Sequence, residues 1–322
     1  SPGDRPSPGG TVWVAEGGRI DINSTANANA GNLRVGVQGL GVLTMIGGSD
    51  LTSTTADIGG LASGVGIANL SGDGTSWTIV NDLEVGDLGD GRLVLNTGAD
   101  VNAGSVYIGD GFSSTGHAII SDSGSTLGVG SDIFIGFNGN GTLEVRNGAT
   151  VGFAGVANVA ANVNSQGRLT IDSGGTFTGV SSVATIVGGG GDAVLEILGG
   201  GTASSNGAVI ANASTSVSRA LVSGANSLWN LDVVGSIGLT VGGAGSGLLE
   251  ISPGGRVQAS SAVLGNSSGS NGRVDVHGAG SSFHIQGLLT VGNSANGTLE
   301  ISGGASALSQ GAVIANGLGS PA

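Results

Sequence analysis

Three acidic residues, Glu250, Asp275 and Glu300, lie 25 residues apart, and each is the middle residue of an apolar–acidic–apolar triplet. The middle residue of such a triplet points away from the core of a strand. Carboxylates stacked on neighbouring strands either fan out into solvent, retain a proton at a raised pKa, or bind a cation. Because Ca²⁺ takes about six to eight oxygen ligands, a flat row of three carboxylates supplies too few. We therefore predict no metal and no cofactor site, and a calcium-dependent thermal stability would contradict this.

Catalytic side chains have few candidates in this sequence. The three histidines, His117, His277 and His284, do not recur at a fixed distance from an acid or a nucleophile, as a Ser–His–acid arrangement requires. The chain has no cysteine and no lysine, and its nine basic residues are arginines scattered along the sequence. The segment Gly188 to Asp192 resembles a calcium-binding nonapeptide, but that motif works only in tandem and occurs here once. The sequence therefore predicts no catalytic residues and a protein that is not an enzyme.

The amino-acid composition limits the kinds of fold that can hold these side chains in place. Glycine accounts for 68 of the 322 residues, yet it does not occur at every third position, which excludes collagen. A hydrophobic fraction of 39% shows that a core is built between the glycines. The net charge of −13 repels nucleic acid and anionic membrane surfaces. No apolar run approaches the roughly 20 residues that a membrane span needs, so we predict no insertion of this segment into a membrane.

An internal repeat of about 50 residues decides the fold. A phrase with the pattern apolar-x-apolar-Gly or a close variant recurs, and its third residue serves as an anchor. The anchors form two interleaved series, Val35, Val85, Ile135, Val187, Val241 and Val291, and Ile58, Ile108, Val159, Ile210, Leu264 and Ile314. Each repeat thus contains a short coil of 23 or 24 residues followed by a long coil of 27 to 31. Repeats of this length are typical of solenoids.

Two further apolar columns lie at fixed offsets from each anchor. One consists of apolar-x-apolar triplets such as Leu249-Glu-Ile251. The other runs Leu51, Trp77, Val101, Leu127, Val151, Phe177, Ala203, Trp229, Val257, Phe283 and Ala307. Large aromatics beside small residues indicate core packing and not a sugar-binding platform. Three short strands per coil, separated by glycine-rich turns, predict an all-β, three-sided parallel β-helix of about 12 coils, two for each repeat.

The repeat also sets the domain boundaries. Residues 1–10 contain three prolines and are interpreted as a leader or linker, and residues 11–322 as a single β-solenoid domain. The last anchor, Ile314, is followed by only part of a coil. An uncapped solenoid end presents unpaired backbone groups, so end-to-end assembly is one hypothesis for this chain.

The coils resemble a known repeat family. The short coils LEVGDLGDGRLVLNTGADV and LTVGNSANGTLEISGGASA, which begin at Leu83 and Leu289, are similar to the first half of the repeat associated with type V secretion and PEP-CTERM exported proteins. The long coils ending in Trp77, Trp229 and Phe283 are similar to its second half. The resemblance covers residues 11–317. It implies a right-handed β-helix, secreted and displayed at the bacterial cell surface as the passenger of an autotransporter.

Function is predicted through this resemblance. It implies a non-catalytic, extracellular region that serves display and adhesion, with the surface of a host or neighbouring cell as its partner. The alternative is a structural protein that binds itself end to end to form fibres or matrix. A polysaccharide-active enzyme is the third hypothesis, and it would need carboxylates and arginines gathered in one groove.

Overall fold

The computed structural model describes residues 12–14, 18–23, 27–180, 184–231 and 238–315. The predicted leader, residues 1–10, lies outside them. Within the described ranges the chain forms strands and turns without a helix. The strands are β1 Val12–Val14, β2 Gly18–Asn23, β3 Asn27–Val35, β4 Gly39–Ile46, β5 Asp50–Ile58, β6 Gly64–Ser71, β7 Ser76–Val85, β8 Asp90–Asn96, β9 Asp100–Ile108, β10 Thr115–Ser121, β11 Thr126–Val129, β12 Ile133–Ile135, β13 Asn140–Arg146, β14 Thr150–Phe153, β15 Ala157–Val159, β16 Gln166–Ile171, β17 Thr176–Gly179, β18 Thr185–Val187, β19 Asp192–Leu198, β20 Thr202–Ser204, β21 Gly207–Ile210, β22 Val217–Ser223, β23 Leu228–Leu231, β24 Gly238–Val241, β25 Ser246–Ile251, β26 Arg256–Ala259, β27 Ala262–Leu264, β28 Asn271–His277, β29 Ser282–Val291, β30 Asn296–Ser302 and β31 Ser306–Ile314.

These strands build two sheets that wrap around a single core. A 12-stranded sheet takes one strand from each coil, from β2 to β30. A 19-stranded sheet supplies the other two sides. It is continuous because β3, β5, β7, β9, β29 and β31 are long enough to run along both of those sides, whereas the coils from β11 to β27 divide the same path into two short strands. The fold is therefore an all-β parallel β-solenoid, as the sequence predicts.

Parallel pairing holds each coil in register with the next. The predicted anchors are aligned, since Val35 pairs with Ile58, Ile58 with Val85, and so on to Val291 with Ile314. The 12 strands of the smaller sheet leave eleven intervals, which at about 4.8 Å per strand give a rod of about 50 Å. Because each coil contacts mainly its neighbours, stability is distributed along the rod as a sum of coil and interface contributions.

The aromatic column lies inside the rod, as predicted. Trp77 is fully buried, and Phe177, Trp229 and Phe283 are each 1% exposed. Their neighbours in the adjacent coils are smaller: Ala203 lies between Phe177 and Trp229, and Ala307 pairs with Phe283. The indole Nε1 of Trp77 donates a hydrogen bond to Ser53 Oγ over 3.0 Å, so this buried polar group has a partner. Large and small side chains therefore alternate to fill a core of nearly constant width.

The turn after each anchor brings two coils into close backbone contact. Gly109 follows the anchor Ile108 with φ of +72°, and a Cβ atom there would lie 2.3 Å from the carbonyl oxygen of Asn140. Most coils place glycine at this position. Ala160, Ala211 and Ala315 hold the same left-handed conformation with φ of 56°. The turn therefore fixes the spacing of the coils and the stacking of their outward side chains.

Candidate functional site

The outward face of the 12-stranded sheet carries two adjacent charged columns. One column consists of the residue just before the apolar-x-apolar triplet of each strand and contains Arg19, Arg92, His117, Arg168, Arg219 and Arg273. The second lies two residues further along each strand and contains Asp21, Glu144, Glu196, Glu250, Asp275 and Glu300. The expectation that the arginines are scattered is wrong, because the register places five of the nine in one column.

Ion pairs join the two columns across the face. Arg19 Nε lies 2.7 Å from Asp21 Oδ1, and Arg168 Nη2 lies 2.5 Å from Glu196 Oε2. Arg219 Nη2 lies 3.9 Å from the other oxygen of Glu196. The exposed pair of Arg19 and Asp21 contributes about 0–1 kcal/mol, whereas Glu196 is 8% exposed and its arginine partners satisfy a carboxylate that is mostly buried. The main effect of these ion pairs is to leave a face that is strongly polar but locally close to neutral.

The three acids predicted to stack do lie on adjacent strands. Glu250 pairs in register with Asp275, and Asp275 with Glu300. The guanidinium of Arg273 contacts both Asp275, at 2.8 Å, and Glu300, at 2.9 Å. Glu250 Oε1 lies 3.1 Å from His277 Nε2. The charge of Arg273 thus offsets the repulsion between Asp275 and Glu300 that a bound cation would otherwise relieve.

The histidines occupy different surroundings. His117 Nε2 lies 3.0 Å from Glu144 Oε1 on the adjacent strand, a contact that the spacing in the sequence did not predict. His277 contacts Ser252 Oγ, at 3.3 Å, through the same Nε2 atom that contacts Glu250. A catalytic Ser–His–acid relay needs the acid on one ring nitrogen and the nucleophile on the other, so this trio lacks the required geometry. His284 lies on β29, beside Gln258 of β26.

A groove of about 710 Å³ runs along the C-terminal half of the 12-stranded sheet. It extends from β13 to β28, so it crosses six successive strands. Its floor consists of small buried residues at the start of each strand, Gly141, Gly167, Ala193, Ser218 and Gly247. A side chain is excluded at Gly141, where a Cβ atom would lie 2.0 Å from the backbone nitrogen of Gly136. Close contact of strand and turn therefore creates the depression.

A second polar surface lies on the 19-stranded sheet, along the middle residues of the anchor triplets. This column runs Arg34, Asp57, Glu84, Tyr107 and Phe134 in consecutive coils. Arg34 forms an ion pair with Asp57, which is 7% exposed. The same alignment that gave the acidic row, applied to the anchor triplets, would have found this column. Only the outward residues of the second strand were aligned from the sequence, so this column was not predicted.

Aromatic rings continue this surface beyond its acidic part. Tyr107 and Phe134 stack with ring centroids 5.0 Å apart and planes 18° apart, and Phe137 meets Phe134 edge to face at 4.9 Å. All three rings are partly exposed. These aromatics lie on the surface, unlike the four in the core column.

Three carboxylates at the acidic end are close together. Oxygen atoms of Asp57, Glu84 and Asp87 lie within 4.8 Å of one another. This set could supply three oxygen ligands to a divalent cation, about half of what Ca²⁺ requires. Arg34 already contributes a positive charge to it through Asp57.

Burial and mutual repulsion change the protonation of these groups. Burial, followed by the charge of Asp57, raises the pKa of Glu84 from 4.5 to about 8. The pKa of Asp87 rises from 3.8 to about 6 for the same two reasons. Burial also raises the pKa of Asp57, although Arg34 opposes that change. A proton therefore remains within the cluster near neutral pH.

Replacing Glu84 by glutamine should stabilise the protein at pH 8. The folded state binds the proton of Glu84 more tightly than the unfolded chain does. The contribution of Glu84 to the free energy of unfolding is therefore greatest below pH 4.5 and is lost as the pH rises to about 8. Glutamine does not ionise, so the variant does not lose stability over this pH range for that reason. Allowing for solvent screening of a partly exposed group, we expect a gain of about 1–2 kcal/mol at pH 8 and none at pH 4, measured by urea unfolding.

The matched control is Asp90→Asn, which removes one charge from an exposed position on the other sheet. It should leave the pH dependence of unfolding as it is in the parent chain. Equal gains from both variants would mean that net charge, and not the cluster, governs the effect.

The fold and these surfaces define the chain as a parallel β-solenoid with paired charges along one face. No protein-family model matches the sequence, and no curated protein or solved structure matches it either. Across the described ranges, no helix is long and apolar enough to cross a membrane.

Proposed function

We propose that this chain is a non-catalytic, extracellular rod, displayed at a bacterial cell surface as the passenger region of an autotransporter and serving adhesion. The observation that carries the proposal is the unbroken register of the 12-stranded sheet, which presents outward side chains in straight columns along about 50 Å. Such a surface suits contact with an extended partner. The enzyme hypothesis needs carboxylates and arginines in one groove. Among the described residues that line the groove, three arginines are accompanied by a single carboxylate, Asp192, whereas glycoside hydrolysis uses two. The trio of Ser252, His277 and Glu250 also lacks relay geometry.

The charge pattern supports an exposed role at a surface. A net charge of −13 disfavours adsorption to anionic membranes and nucleic acid. Paired charges on the outward face keep that surface hydrated and locally balanced. The resemblance to the repeat family supports the proposed route of export and the proposed location at the bacterial cell surface.

Cell attachment under flow tests this function. The full chain is coupled to beads, and bacterial and epithelial cells are passed over them beside beads that carry an unrelated protein of equal net charge. We expect more cells to remain on the chain-coated beads at the same shear. Equal retention on both kinds of bead would contradict the adhesive role.

Analytical ultracentrifugation of the same preparation separates this function from end-to-end assembly. A display rod stays monomeric as concentration rises. Growth of fibres with concentration would favour the structural alternative.

A further inference from the structure

The groove on the 12-stranded sheet has two chemically different walls. One wall is formed by the exposed first residue of successive strands, including Asn140, Gln166 and Asn271, whose amides both donate and accept hydrogen bonds. The opposite wall begins with Thr142 and then alternates between arginine and an aliphatic residue. It runs Arg168, Val194, Arg219, Leu248 and Arg273. The groove therefore combines a largely polar wall, interrupted by the exposed Val217, with a wall of regularly alternating character.

The alternation along the arginine-containing wall has a fixed repeat distance. Arg168, Arg219 and Arg273 lie two coils apart, because the repeat contains two coils, so the guanidinium groups recur every ~9.6 Å along the rod. An extended peptide repeats its side-chain direction every ~6.8 Å and falls out of phase with this wall. An extended 1,4-linked glycan repeats every two sugars over a length close to that of two coils. The spacing therefore fits a polymer of disaccharide units.

The chemistry of the walls fits the same polymer. A pyranose ring has hydroxyl groups at its edges and C–H groups on its faces. Val194 and Leu248 offer apolar surface to ring faces, while each arginine offers several N–H donors to hydroxyl and ring oxygens. The arginine side chains are about half exposed, 47% for Arg168 and 53% for Arg219. They are accessible to a ligand in the groove.

Charge selects a neutral glycan over an acidic one. Arg168 is paired with Glu196, and Arg273 with Asp275 and Glu300, so much of the positive charge beside the groove is offset. Asp192 adds a carboxylate to the polar wall, where it accepts a hydrogen bond from the backbone N–H of Val217. The net charge of −13 also repels a polyanion.

We propose that this groove binds an extended, neutral glycan with a disaccharide repeat, one repeat for every two coils. The six strands that line the groove span about 24 Å, which accommodates more than two disaccharide units. The inference rests on the proposed adhesive function, for which it names the class of ligand. A proline-rich peptide also has a long repeat, ~9.3 Å for three residues, but such peptides dock in aromatic grooves, and none of the described residues that line this groove is aromatic.

Calorimetric titration of the full chain with oligosaccharides tests the proposal. The probes are cellohexaose, xylohexaose, mannohexaose and chitohexaose, each beside its own disaccharide as the short ligand, with hexagalacturonate as the acidic ligand and a proline-rich decapeptide as the peptide. At least one neutral hexasaccharide should bind, about tenfold or more tightly than its disaccharide, because it engages more coils. No binding of any neutral hexasaccharide at millimolar concentration would overturn the proposal. So would tighter binding of hexagalacturonate or of the peptide.

A matched pair of arginine variants locates the site. Arg219→Met keeps the aliphatic stem, removes the donors at the centre of the groove, and leaves Glu196 paired with Arg168. It should weaken hexasaccharide binding about tenfold or more. Arg92→Met makes the same change in the same column on β8, outside the groove, and should leave affinity unchanged. Equal loss in both variants would overturn the assignment to the groove.

The two experiments distinguish the two proposals. Cells that attach to the coated beads while no glycan binds would leave the adhesive function standing and remove the groove as its basis. Glycan binding without cell attachment would support the groove and contradict the adhesive function.

Discussion

Replacing Trp229 by alanine is expected to lower the free energy of unfolding by about 3–5 kcal/mol, the range for deletion of a buried tryptophan or phenylalanine. The side chain is 1% exposed and lies between Ala203 and Val257 in its column. Neither neighbour is large enough to fill the space that the indole vacates. Urea unfolding monitored by circular dichroism measures the change.

The control is an aromatic residue without a core role. Phe112 is 75% exposed, so Phe112→Ala should change the free energy of unfolding by less than about 0.5 kcal/mol. A small effect at Trp229 would mean that neighbouring coils close around the cavity. That outcome would contradict the fixed spacing of the coils described above.

Replacing Gly109 by valine should destabilise the rod by about 2–5 kcal/mol. A branched side chain at φ of +72° loses about 1–2 kcal/mol to backbone strain. Its Cβ atom also meets the carbonyl oxygen of Asn140 at 2.3 Å, and relief of such overpacking costs a further ~1–3 kcal/mol. Because the obstructing atom belongs to the backbone, the two coils must separate locally. Thermal and urea unfolding both report this loss.

The reverse substitution provides the comparison. Ala160 and Ala211 already hold a methyl group at the same turn position. Ala160→Gly should therefore change stability by no more than about 1 kcal/mol. If Gly109→Val proved as mild, the close contact between coils would not be what selects glycine at this turn.

The fold could be predicted from the sequence because residues that recur at the same position in successive coils stack on one another in a solenoid. Apolar residues two apart identify a strand, and glycine after the anchor Ile108 marks the turn. The recurrence of anchors such as Val85 then fixes which strand pairs with which. Burial of Trp77 and Trp229 followed from the alternation of large and small residues in a single aligned column.

The sites were harder to predict because they depend on residues two positions apart in different coils. Arg168 and Glu196 are 28 residues apart in sequence and in contact in the structure. The acidic position of the second strand recurs visibly in the sequence, but the position two residues before it holds a different residue type from coil to coil. Arg219 and Arg273 were therefore interpreted as isolated residues. The pKa of Glu84 could not be predicted either, since it reflects burial and the charge of Asp57 in the coil before.

The alternation along the groove has a consequence for how such a chain changes length during evolution. Duplication or loss of one coil preserves the stacking of the core, because every interface between coils uses the same columns. It does, however, shift the alternating residues of the groove wall by one coil beyond the point of change. An aliphatic residue then occupies the place along the groove where Arg219 or Arg273 would otherwise lie. Gain or loss of two coils leaves the phase intact. Selection for fold alone therefore tolerates single-coil steps, whereas selection for the groove retains the 50-residue unit.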